Sequence, residues 1–374
     1  MKPIEIAKKF GGRIEVNSKM KLTKENLPIL YTPGVADVCR AIAKNKKLSL
    51  QYTIRKNCVA VVSDGSAVLG LGNIGPEAGL PVMEGKALLF KELAGVDAFP
   101  IVLATQDVEE IIRTVKLLEP TFGGINLEDL SAPRCFEIEE RLKEEMNIPV
   151  MHDDQHGTAM VVLAGLINAL KVAKKEIKKI KIVISGTGAA GTAIAKLLLK
   201  YGAKNIVMVD TQGIIFQERA GGLNSAKMEI AKLTNPYKLQ GTVEEALIGA
   251  DVFIGVSAPN ILQHIHIAKM NKNSIVFAMS NPVPEIMPEE AKKGGALVVA
   301  TGRSDYANQL NNVLAFPGIF RGALDNGVKK ITDTHKLKVA QAIAGLIKKP
   351  TVDRIIPEAL DPRVVKVVSG VFKK

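Results

Sequence analysis

Residues 181–210, KIVISGTGAAGTAIAKLLLKYGAKNIVMVD, constrain the fold of this chain more than any other stretch. The run predicts a strand, a glycine-rich loop, an amphipathic helix and a second strand that ends at Asp210. Glycines in a G-x-G-x-x-G pattern allow a tight turn, close approach of a pyrophosphate, and close packing of helix on strand. The following helix would present unpaired N–H groups to the diphosphate. The run therefore predicts a dinucleotide site, and the loop residues assigned to it are Gly186, Thr187, Gly188, Ala189, Ala190 and Gly191.

Two further residues extend this prediction. An acid at the end of the second strand, here Asp210, typically accepts a hydrogen bond from the adenosine ribose and repels a 2′-phosphate, which favours NAD over NADP. Asn281, which precedes a proline after a later predicted strand, could place its amide beside the nicotinamide or the substrate. The alternatives are structural: Asp210 could cap the turn at 211–213, the Asn-Pro pair could simply form a turn, and the glycines could serve the loop alone.

The strand pattern predicts an α/β protein with two sheets. After the glycine loop, short runs rich in Val and Ile alternate with helical stretches, which is typical of a doubly wound parallel sheet of the Rossmann type. The predicted strands of this half are 180–185, 205–210, 252–256, 274–279 and 296–300. The first half also alternates, with predicted strands at 58–62, 98–103, 124–127 and 149–152 and helices at 108–118, 134–146 and 158–171.

The length of 374 residues is too great for one ordinary domain. The elements favour a division into three parts. We expect an N-terminal α/β substrate- and metal-binding domain, a Rossmann NAD-binding domain, and C-terminal helices that pack back on the first domain, with boundaries at 1–156, 157–321 and 322–374.

Acidic pairs stand where two predicted strands of the first half stop. Glu128 and Asp129 follow one strand, and Asp153 and Asp154 follow another. Ligands collect at the carboxyl ends of strands in open α/β sheets, and several carboxylates suit Mg²⁺ or Mn²⁺. The alternatives are a solvated acidic surface, a helix cap at Asp154, and a zinc site that uses His152 and His156, although no third zinc-ligand motif accompanies that pair.

Two residues are candidates for proton transfer. Tyr31 precedes a Pro-Gly turn, so its hydroxyl could project into a cleft. Lys86 begins an apolar helix after a glycine-rich loop, where burial could lower its pKa and let it act as a base. Taken singly, each is explained as well by packing or by a solvated surface position.

Composition narrows the class of protein. Fifty Lys and Arg against 38 Asp and Glu give a net charge of +12, which suits anionic partners, but the charges are dispersed and aromatic residues make up only 4%. We therefore expect small anionic metabolites as partners, and no nucleic acid. Three scattered cysteines, no signal peptide and no apolar stretch of ~20 residues predict a reduced, cytoplasmic protein without a membrane span.

Five motifs occur in a set order along the chain: YTPGVADVCRAI, VSDGSAVLGLGNIGPEAGLPVMEGKALLFK, INLEDLSAPRCFEIEERL, HDDQHGTAMVVLAGLINAL and ISGTGAAGTAIA. In this order they resemble the short bacterial or archaeal malic enzymes, from about residue 29 to residue 322. The resemblance implies oxidative decarboxylation of (S)-malate to pyruvate and CO₂ with NAD or NADP and a divalent cation, and decarboxylation of oxaloacetate. It also implies a homodimer or larger assembly.

The resemblance also implies roles for individual residues. Lys86 resembles the base that takes the C2 hydroxyl proton of malate, and Tyr31 the acid that protonates enolpyruvate. The implied metal ligands are Glu128, Asp129 and Asp154, the supporting acid is Asp153, and the asparagines near substrate and nicotinamide are Asn281 and Asn312.

One position departs from the family pattern. Larger malic enzymes have an arginine in the loop after the Asp-Gly pair, where it clamps a substrate carboxylate, whereas this chain reads Ser66-Ala67-Val68. Backbone N–H groups of 70–75, or another Arg or Lys, could replace it.

Three alternatives lie outside this family. A two-domain amino-acid dehydrogenase would share only the Rossmann half and need no metal. A nucleotide-sensing or scaffold protein would bind NAD without turnover. The basic charge leaves nonspecific nucleic-acid binding as a third, weaker alternative.

Overall fold

The computed structural model describes residues 2–68 and 70–373, and its chain forms two sheets that share a core. The first sheet holds four strands, which are β1 (Cys58–Ser63), β2 (Asp97–Val102), β3 (Gly124–Leu127) and β4 (Val150–His152). The second sheet holds six strands, which are β5 (Lys181–Ser185), β6 (Asn205–Asp210), β7 (Gly213–Ile214), β8 (Val252–Gly255), β9 (Ile275–Ala278) and β10 (Val298–Thr301). The predicted α/β class is confirmed.

Helices connect these strands and flank both sheets. Those up to the end of the first sheet are α1 (Pro3–Phe10), α2 (Leu27–Leu30), α3 (Val35–Lys44), α4 (Ser49–Tyr52), α5 (Pro76–Ala94), α6 (Val108–Leu118) and α7 (Arg134–Glu145). Those that follow are α8 (Asp153–Ala173), α9 (Ala189–Tyr201), α10 (Ser225–Leu233), α11 (Val243–Leu247), α12 (His264–Ile267), α13 (Pro288–Lys293), α14 (Phe316–Asn326), α15 (Asp333–Gly345) and α16 (Arg363–Gly370).

Strand order places the glycine-rich loop after β5 at a switch point of the second sheet. The first sheet runs β2-β1-β3-β4 and is parallel throughout. The second runs β10-β9-β8-β5-β6-β7 and is parallel except for the short antiparallel edge strand β7. Because β5 pairs with β6 on one side and with β8 on the other, the chain reverses direction across the sheet at β5, where α/β proteins bind nucleotides.

Alternation along the strands divides the interior, as far as residues 2–68 and 70–373 define it, into three apolar cores. Val59 and Val61 of β1 face a core that also contains Ile182 and Ile184 of β5, so one continuous core joins the two sheets. The residues between them point to the opposite face of each sheet. Ala60 of β1 lies in a second core and Val183 of β5 in a third. Burial on both faces explains why these strands read as unbroken apolar runs.

Helix α8 crosses the shared core and begins earlier than predicted. It starts at Asp153 rather than at residue 158, which puts two carboxylates in its first turn, where the helix dipole favours negative charge. His152 is the N-cap residue, so Asp154 does not cap this helix. By length and composition α8 could cross a membrane, but 72% of its most apolar window is buried inside the protein, as in the core helix of a soluble protein.

The C-terminal helices pack against the first sheet's helices as well as the second sheet's. Phe316 and Phe320 of α14 meet the ring of Phe90 in α5, with ring centroids 4.7 and 5.5 Å apart. α15 packs along α8. These contacts agree with the expectation that the end of the chain returns to its first half, while the domain boundaries themselves stay a prediction.

The N-terminal segment, residues 2–57, differs from the rest because none of its residues is buried. Its contacts with the remaining chain include ion pairs such as Arg13 with Glu84. Of the 25 large apolar residues that are exposed in the described chain, 15 lie here, namely Ile4, Ile6, Phe10, Ile14, Val16, Met20, Leu22, Leu27, Ile29, Tyr31, Val35, Val38, Leu50, Tyr52 and Ile54. Exposed apolar residues at this density mark an interaction surface.

Candidate active site

The carboxyl ends of β3 and β4 bring the predicted acids together. Glu128 and Asp129 directly follow β3, and α8 begins with Asp153 and Asp154 directly after β4. The two strands are paired and parallel, so their ends meet at one edge. One ligand oxygen from each of Glu128, Asp129 and Asp154 lies within 4.8 Å of the others. This spacing lets three carboxylates share one cation.

The backbone at Asp129 supports this arrangement. Its φ of 52° lies in the left-handed region, which is costly for a residue with a side chain and clusters at functional sites. The Asp129 N–H donates to Oδ2 of Asp154 over 2.7 Å. The loop after β3 is thereby tied to the first turn of α8.

Lys86 enters the cluster from α5. Its Nζ lies 2.8 Å from Oε1 of Glu128 and 2.7 Å from Oδ2 of Asp153, and 4.3 Å from the centre of the Phe316 ring. Burial alone would lower the pKa of Lys86, as the sequence predicts, but the facing carboxylates of Asp153, Glu128 and Asp154 raise it above its ordinary value. The predicted direction of that shift is therefore wrong for the protein without a bound cation.

The carboxyl groups of the cluster differ in the direction in which their pKa values are shifted. Burial raises the pKa of Glu128 well above its usual range, and the Lys86 ammonium only partly offsets this. Burial likewise raises the pKa of Asp153 against the effect of Lys86. For Asp154 the effect of burial is outweighed by the nearby His152 ring and the Lys86 ammonium, so its pKa is lowered. Three acids in one buried place disfavour one another's charge, and a bound cation would relieve this.

Asp153 is confined by a glycine one turn further along α8. Its Oδ2 accepts from Lys86, while its Oδ1 accepts no hydrogen bond from the part of the chain that the structure describes. A Cβ on Gly157 would stand 1.8 Å from that Oδ1 and 3.1 Å from Cβ of Asn312. Gly157 therefore lets Asp153 and Asn312 approach each other, which brings Asn312 to this cluster.

The two histidines of this region are engaged elsewhere. Nε2 of His152 lies 3.1 Å from Oδ2 of Asp154, and its Nδ1 lies 3.0 Å from the Gln155 amide. Nε2 of His156 lies 2.8 Å from Glu139. Across 2–68 and 70–373, the one group of metal-type ligands is the three carboxylates alone, so the geometry gives no support to a zinc site.

An arginine of α7, Arg134, holds the loop that follows β1. Arg134 donates from Nη2 to Oδ2 of Asp64 and to Oγ of Ser66, both over 2.6 Å. The Ser66 hydroxyl in turn accepts from the Ser131 N–H over 2.9 Å. Arg134 thus fixes the described part of this loop beside Asp129, whose carbonyl accepts from Ala67.

Asn281 lies where this loop meets the second sheet. It follows β9, and a Cβ on Gly70 would stand 2.2 Å from its carbonyl oxygen. A Cβ on Gly302 would stand 2.7 Å from its Nδ2. Gly70, in the loop after β1, and Gly302, after β10, thus permit the close approach of Asn281. Asn281 therefore lies between the loop after β1 and the second sheet.

Tyr31 is the one predicted catalytic residue that stands apart from the acid cluster. It ends α2 in the exposed N-terminal segment, and 67% of its surface is accessible. No hydrogen bond joins its hydroxyl to any other described residue. Its predicted role therefore gains no support from a single chain.

The glycine loop after β5 has the geometry expected for a dinucleotide. Gly186 has a φ of 113°, and a Cβ there would stand 2.6 Å from the carbonyl of Val256, which follows β8. A Cβ on Gly191 would stand 1.9 Å from the Gly186 carbonyl. Gly188, the N-cap of α9, instead faces open space, as a position against which a diphosphate packs should. Thr187, Ala189 and Ala190 complete the loop.

Asp210 ends β6 beside a cavity of about 490 Å³. Gly186 and Thr187 line the same cavity, so loop and acid are arranged as in a nucleotide site. The Asp210 carboxylate accepts four hydrogen bonds, from the Gln212 N–H, from Nη1 and Nη2 of Arg219, and from Nζ of Lys227. These bonds outweigh partial burial and lower its pKa to about 2.

Sequence reasoning missed several residues of these sites. Arg219 and Lys227 lie in a loop and a helix whose approach to Asp210 no spacing rule predicts. Phe316 and Arg134 reach their partners across large sequence separations. His152 could have been noticed, because it adjoins the acid pair in HDDQHGTA, but as a support for Asp154 rather than as a zinc ligand.

Comparison with known families decides what these two sites belong to. The family model for the malic enzyme N-terminal domain matches residues 11–143, and that for the malic enzyme NAD-binding domain matches residues 155–371. The chain belongs to the malic enzyme family. The family model's NAD-binding part contains the glycine loop and Asp210, which supports the assignment of NAD to the second sheet.

Malic enzymes of similar sequence cover nearly the whole chain. It is 57% identical over 360 residues to the NAD-dependent malic enzyme of Geobacillus stearothermophilus, covering 96% of this chain and 75% of that protein. It is 54% identical over 366 residues to the bifunctional malic/malolactic enzyme of Bacillus subtilis, covering 97% and 89%. The solved structure of a Thermotoga maritima NAD-dependent malic enzyme is 53% identical, with a TM-score of 0.96 over 100% of this chain and 99% of that one.

Proposed function

We propose that this chain oxidatively decarboxylates (S)-malate to pyruvate and CO₂, reduces NAD, and also decarboxylates oxaloacetate. The observation that carries the proposal is the gathering of Glu128, Asp129 and Asp154 at two adjacent strand ends with Lys86 among them. Membership of the malic enzyme family and the NAD-binding match support the same reaction. The substrate is a small dicarboxylate, and we propose a cytoplasmic location without nucleic-acid or membrane partners.

The residues of the cluster fit a divalent cation. All three proposed ligands offer carboxylate oxygens, the donors that Mg²⁺ and Mn²⁺ prefer, and the buried acids lack enough positive charge around them. Glu128, Asp129 and Asp154 would hold the ion. When bound, it supplies Lewis-acid polarisation of the substrate oxygens and stabilises the enolate charge.

Lys86 is proposed as the base that takes the proton of the C2 hydroxyl. Its Nζ is held between Glu128 and Asp153, so its position is set by two contacts rather than by the flexible side chain. A protonated amine cannot accept a proton, so Lys86 must first lose the one that the carboxylates stabilise. Asp153 is proposed to orient Lys86 through their 2.7 Å bond. Asn281 and Asn312 are proposed to position substrate and nicotinamide.

Tyr31 is proposed as the acid that protonates enolpyruvate, in a homodimer. A general acid that protonates C3 of enolpyruvate works best away from bulk water. Tyr31 is instead largely exposed, in a segment with no buried residue. A second copy that covers the apolar residues of 2–57 would exclude water from Tyr31. Sedimentation velocity tests the dimer, and a monomer at assay concentration would contradict it.

Mixing two inactive variants tests which site Tyr31 serves. If Tyr31 acts in the partner's site, refolding Tyr31→Phe together with Lys86→Ala gives mixed dimers with one functional site and restores turnover. If Tyr31 acts in its own chain, no turnover returns. Each variant refolded alone is the control.

The function itself is tested by following NADH formation from L-malate, with pyruvate measured as product. We expect turnover with Mn²⁺ and loss of turnover in EDTA that Mn²⁺ reverses. Turnover that survives EDTA would favour a metal-independent two-domain dehydrogenase instead. NAD binding without any turnover would favour a sensing or scaffold protein.

A further inference from the structure

A buried acid that the proposed reaction does not use lies beside the ends of β8 and β9. Glu285 has 0% of its surface exposed. Its Oε1 accepts from the Ser257 N–H over 2.8 Å, and its Oε2 accepts from the Ser280 N–H over 3.0 Å. Ser257 follows β8 and Ser280 follows β9, and these two strands are paired and parallel. One carboxylate therefore joins the two loops that leave neighbouring strands.

The burial of Glu285 is costly because no cation offsets it. Among the described residues, no Lys, Arg or His forms an ion pair with Glu285. Burial raises its pKa above the usual range, and the N–H groups of Ser257 and Ser280 only partly offset this. A Cβ on Gly255, the last residue of β8, would stand 2.4 Å from Cδ of Glu285. The end of β8 thus leaves room for a carboxylate without a cation, although buried charges are ordinarily paired.

A carboxylate meets a requirement here that an amide does not meet. Both loops present a backbone N–H to this side chain, and a buried N–H without an acceptor is costly. An ionised carboxylate has two acceptor oxygens, whereas a side-chain amide has one oxygen and an NH₂ group that only donates. Glu285→Gln would therefore satisfy one loop and set its NH₂ group against the N–H of the other.

The two loops differ in how much they depend on this carboxylate. The loop after β8 has two further backbone hydrogen bonds, each 3.0 Å long, from the N–H groups of Asn260 and Leu262 to the carbonyls of 284 and 285. Within 2–68 and 70–373, Ser280 and Asn281 make no hydrogen bond other than the one from the Ser280 N–H. Loss of one acceptor oxygen therefore releases Ser280 and Asn281 rather than the loop after β8.

The two loops also face different parts of the cofactor site. Ser257 lines the cavity of about 490 Å³ that Gly186 and Asp210 line, and this cavity suits the adenosine half of NAD. Asn281 lies on the other side, towards the loop after β1, and is the residue proposed to position substrate and nicotinamide. The carboxylate thus ties the nicotinamide side of the site to its adenosine side.

We propose that Glu285 is a positioning residue that fixes Asn281 at the nicotinamide end of the cofactor. Its carboxylate holds Ser280 against the loop after β8, and the next residue along the chain is Asn281. Because Glu285 is fully buried, it acts through Asn281 and not on the cofactor itself. This role rests on the proposed role of Asn281 and on NAD binding at the second sheet, and it does not depend on malate chemistry.

Binding of NAD and of its adenosine half tests this role without turnover. Isothermal titration calorimetry gives the Kd of NAD and the Kd of ADP for each variant. Glu285→Gln should weaken binding of NAD by about 10-fold, the scale of one lost hydrogen bond. It should leave the Kd of ADP unchanged, because the loop after β8 keeps its other hydrogen bonds. General damage to the fold would weaken both.

Two further variants complete the comparison. Glu289→Gln is the matched control, because Glu289 is an exposed acid of α13 that loses the same charge, and it should change neither Kd. Glu285→Asp should give the same contrast as Glu285→Gln, because a carboxylate withdrawn by one methylene keeps its charge but does not reach both loops. Equal weakening of NAD and ADP, no change in either, or failure of both Glu285 variants to fold would overturn the inference.

Asn281→Ala separates this inference from the proposed function. If Asn281 positions the nicotinamide, Asn281→Ala weakens NAD and not ADP, and adding Glu285→Gln has little further effect because both changes act through one residue. If Asn281→Ala leaves both Kd values unchanged, the proposed role of Asn281 is refuted, and this role of Glu285 with it. If Asn281→Ala weakens NAD and Glu285→Gln does not, or if the two losses add in full, the inference fails and the proposed function stands.

Discussion

The two sites at which carboxylates follow strands differ in the sign of the net charge of their grouped side chains. At the end of β3 and β4, four carboxylates are grouped with one ammonium, that of Lys86, which contacts Glu128 and Asp153. At the end of β6, the single carboxylate of Asp210 meets the two cations Arg219 and Lys227. The topology delivers an acid to a ligand-binding edge in both sheets, but the neighbours decide whether that edge attracts a cation or an anion.

The two sites also differ in whether they need a bound ion to balance their charge. The excess acid of the first sheet is buried, which raises the pKa of Glu128 and makes the cluster dependent on added positive charge. Asp210 is satisfied without a ligand, and its pKa is lowered to about 2. The first site should therefore respond strongly to metal and to loss of its lysine, whereas the second should respond weakly to metal.

Loss of the single ammonium should have the largest effect. Lys86→Ala is expected to lower kcat by about 10²–10⁴-fold, the usual contribution of a general acid–base group. The matched control is Lys91→Ala, because Lys91 lies in the same helix but is exposed and pairs with Asp97 outside the cluster. Steady-state NADH formation at saturating malate and Mn²⁺ is the measurement, and wild-type kcat in Lys86→Ala would remove it from the mechanism.

A bound metal ion should raise the free energy of unfolding through the acid cluster of the first sheet and not through Asp210. A ligand that binds only the folded state at 100 times its Kd adds about 2.7 kcal/mol to the free energy of unfolding. Mn²⁺ should therefore raise the Tm of the wild type, and Asp154→Asn should abolish that rise. Asp210→Asn should keep it, since Asp210 has its own cations. Calorimetric melts with and without Mn²⁺ decide, and an undiminished rise in Asp154→Asn would mean that the ion binds elsewhere.

Close packing around Asp153 gives a third, smaller effect. Gly157→Ala places a Cβ 1.8 Å from Oδ1 of Asp153, so Asp153 or α8 must shift, at a cost of about 1–3 kcal/mol in the free energy of unfolding. Gly85→Ala is the control, because Gly85 lies inside α5 with no atom within 4 Å of an added Cβ. It should be neutral or stabilise by up to about 1 kcal/mol. Urea unfolding measures both, and equal stability of the two variants would show that Asp153 is not confined.

Much of the acid cluster could be predicted from the sequence alone, because its residues are brought together by the order and direction of the strands. Parallel strands end at one edge, so acid pairs after two strands had to meet if those strands were neighbours, as β3 and β4 are. The glycine loop was equally accessible, because Gly186 and Gly191 serve the local turn and its packing. Both predictions depend on local pattern and on strand direction only.

The rest depended on contacts that no local pattern encodes. Arg219 reaches Asp210 from a loop after an antiparallel edge strand, and Lys227 from the helix beyond it. The expectation of NAD selectivity considered Asp210 without these partners. The start of α8 was placed too late because HDDQ is polar, although acids are favourable in a first helical turn.

The smallest expected effect is the pH dependence of the Asp210 site. Its pKa falls from 3.8 to about 2 on folding, so its hydrogen bonds stabilise the protein fully above the unfolded pKa and are lost as the pH falls through the folded one. Asp210→Asn, which cannot be charged, should lower the free energy of unfolding by about 1 kcal/mol at neutral pH. The gap from wild type should close between about pH 4 and about pH 2, because protonated Asp210 resembles the amide. Melts across this range measure the gap. A gap that persists at the acid end would mean that the amide destabilises the loop by a route other than loss of the Asp210 charge, and no gap at neutral pH would mean that Arg219 and Lys227 hold the loop through its carbonyls.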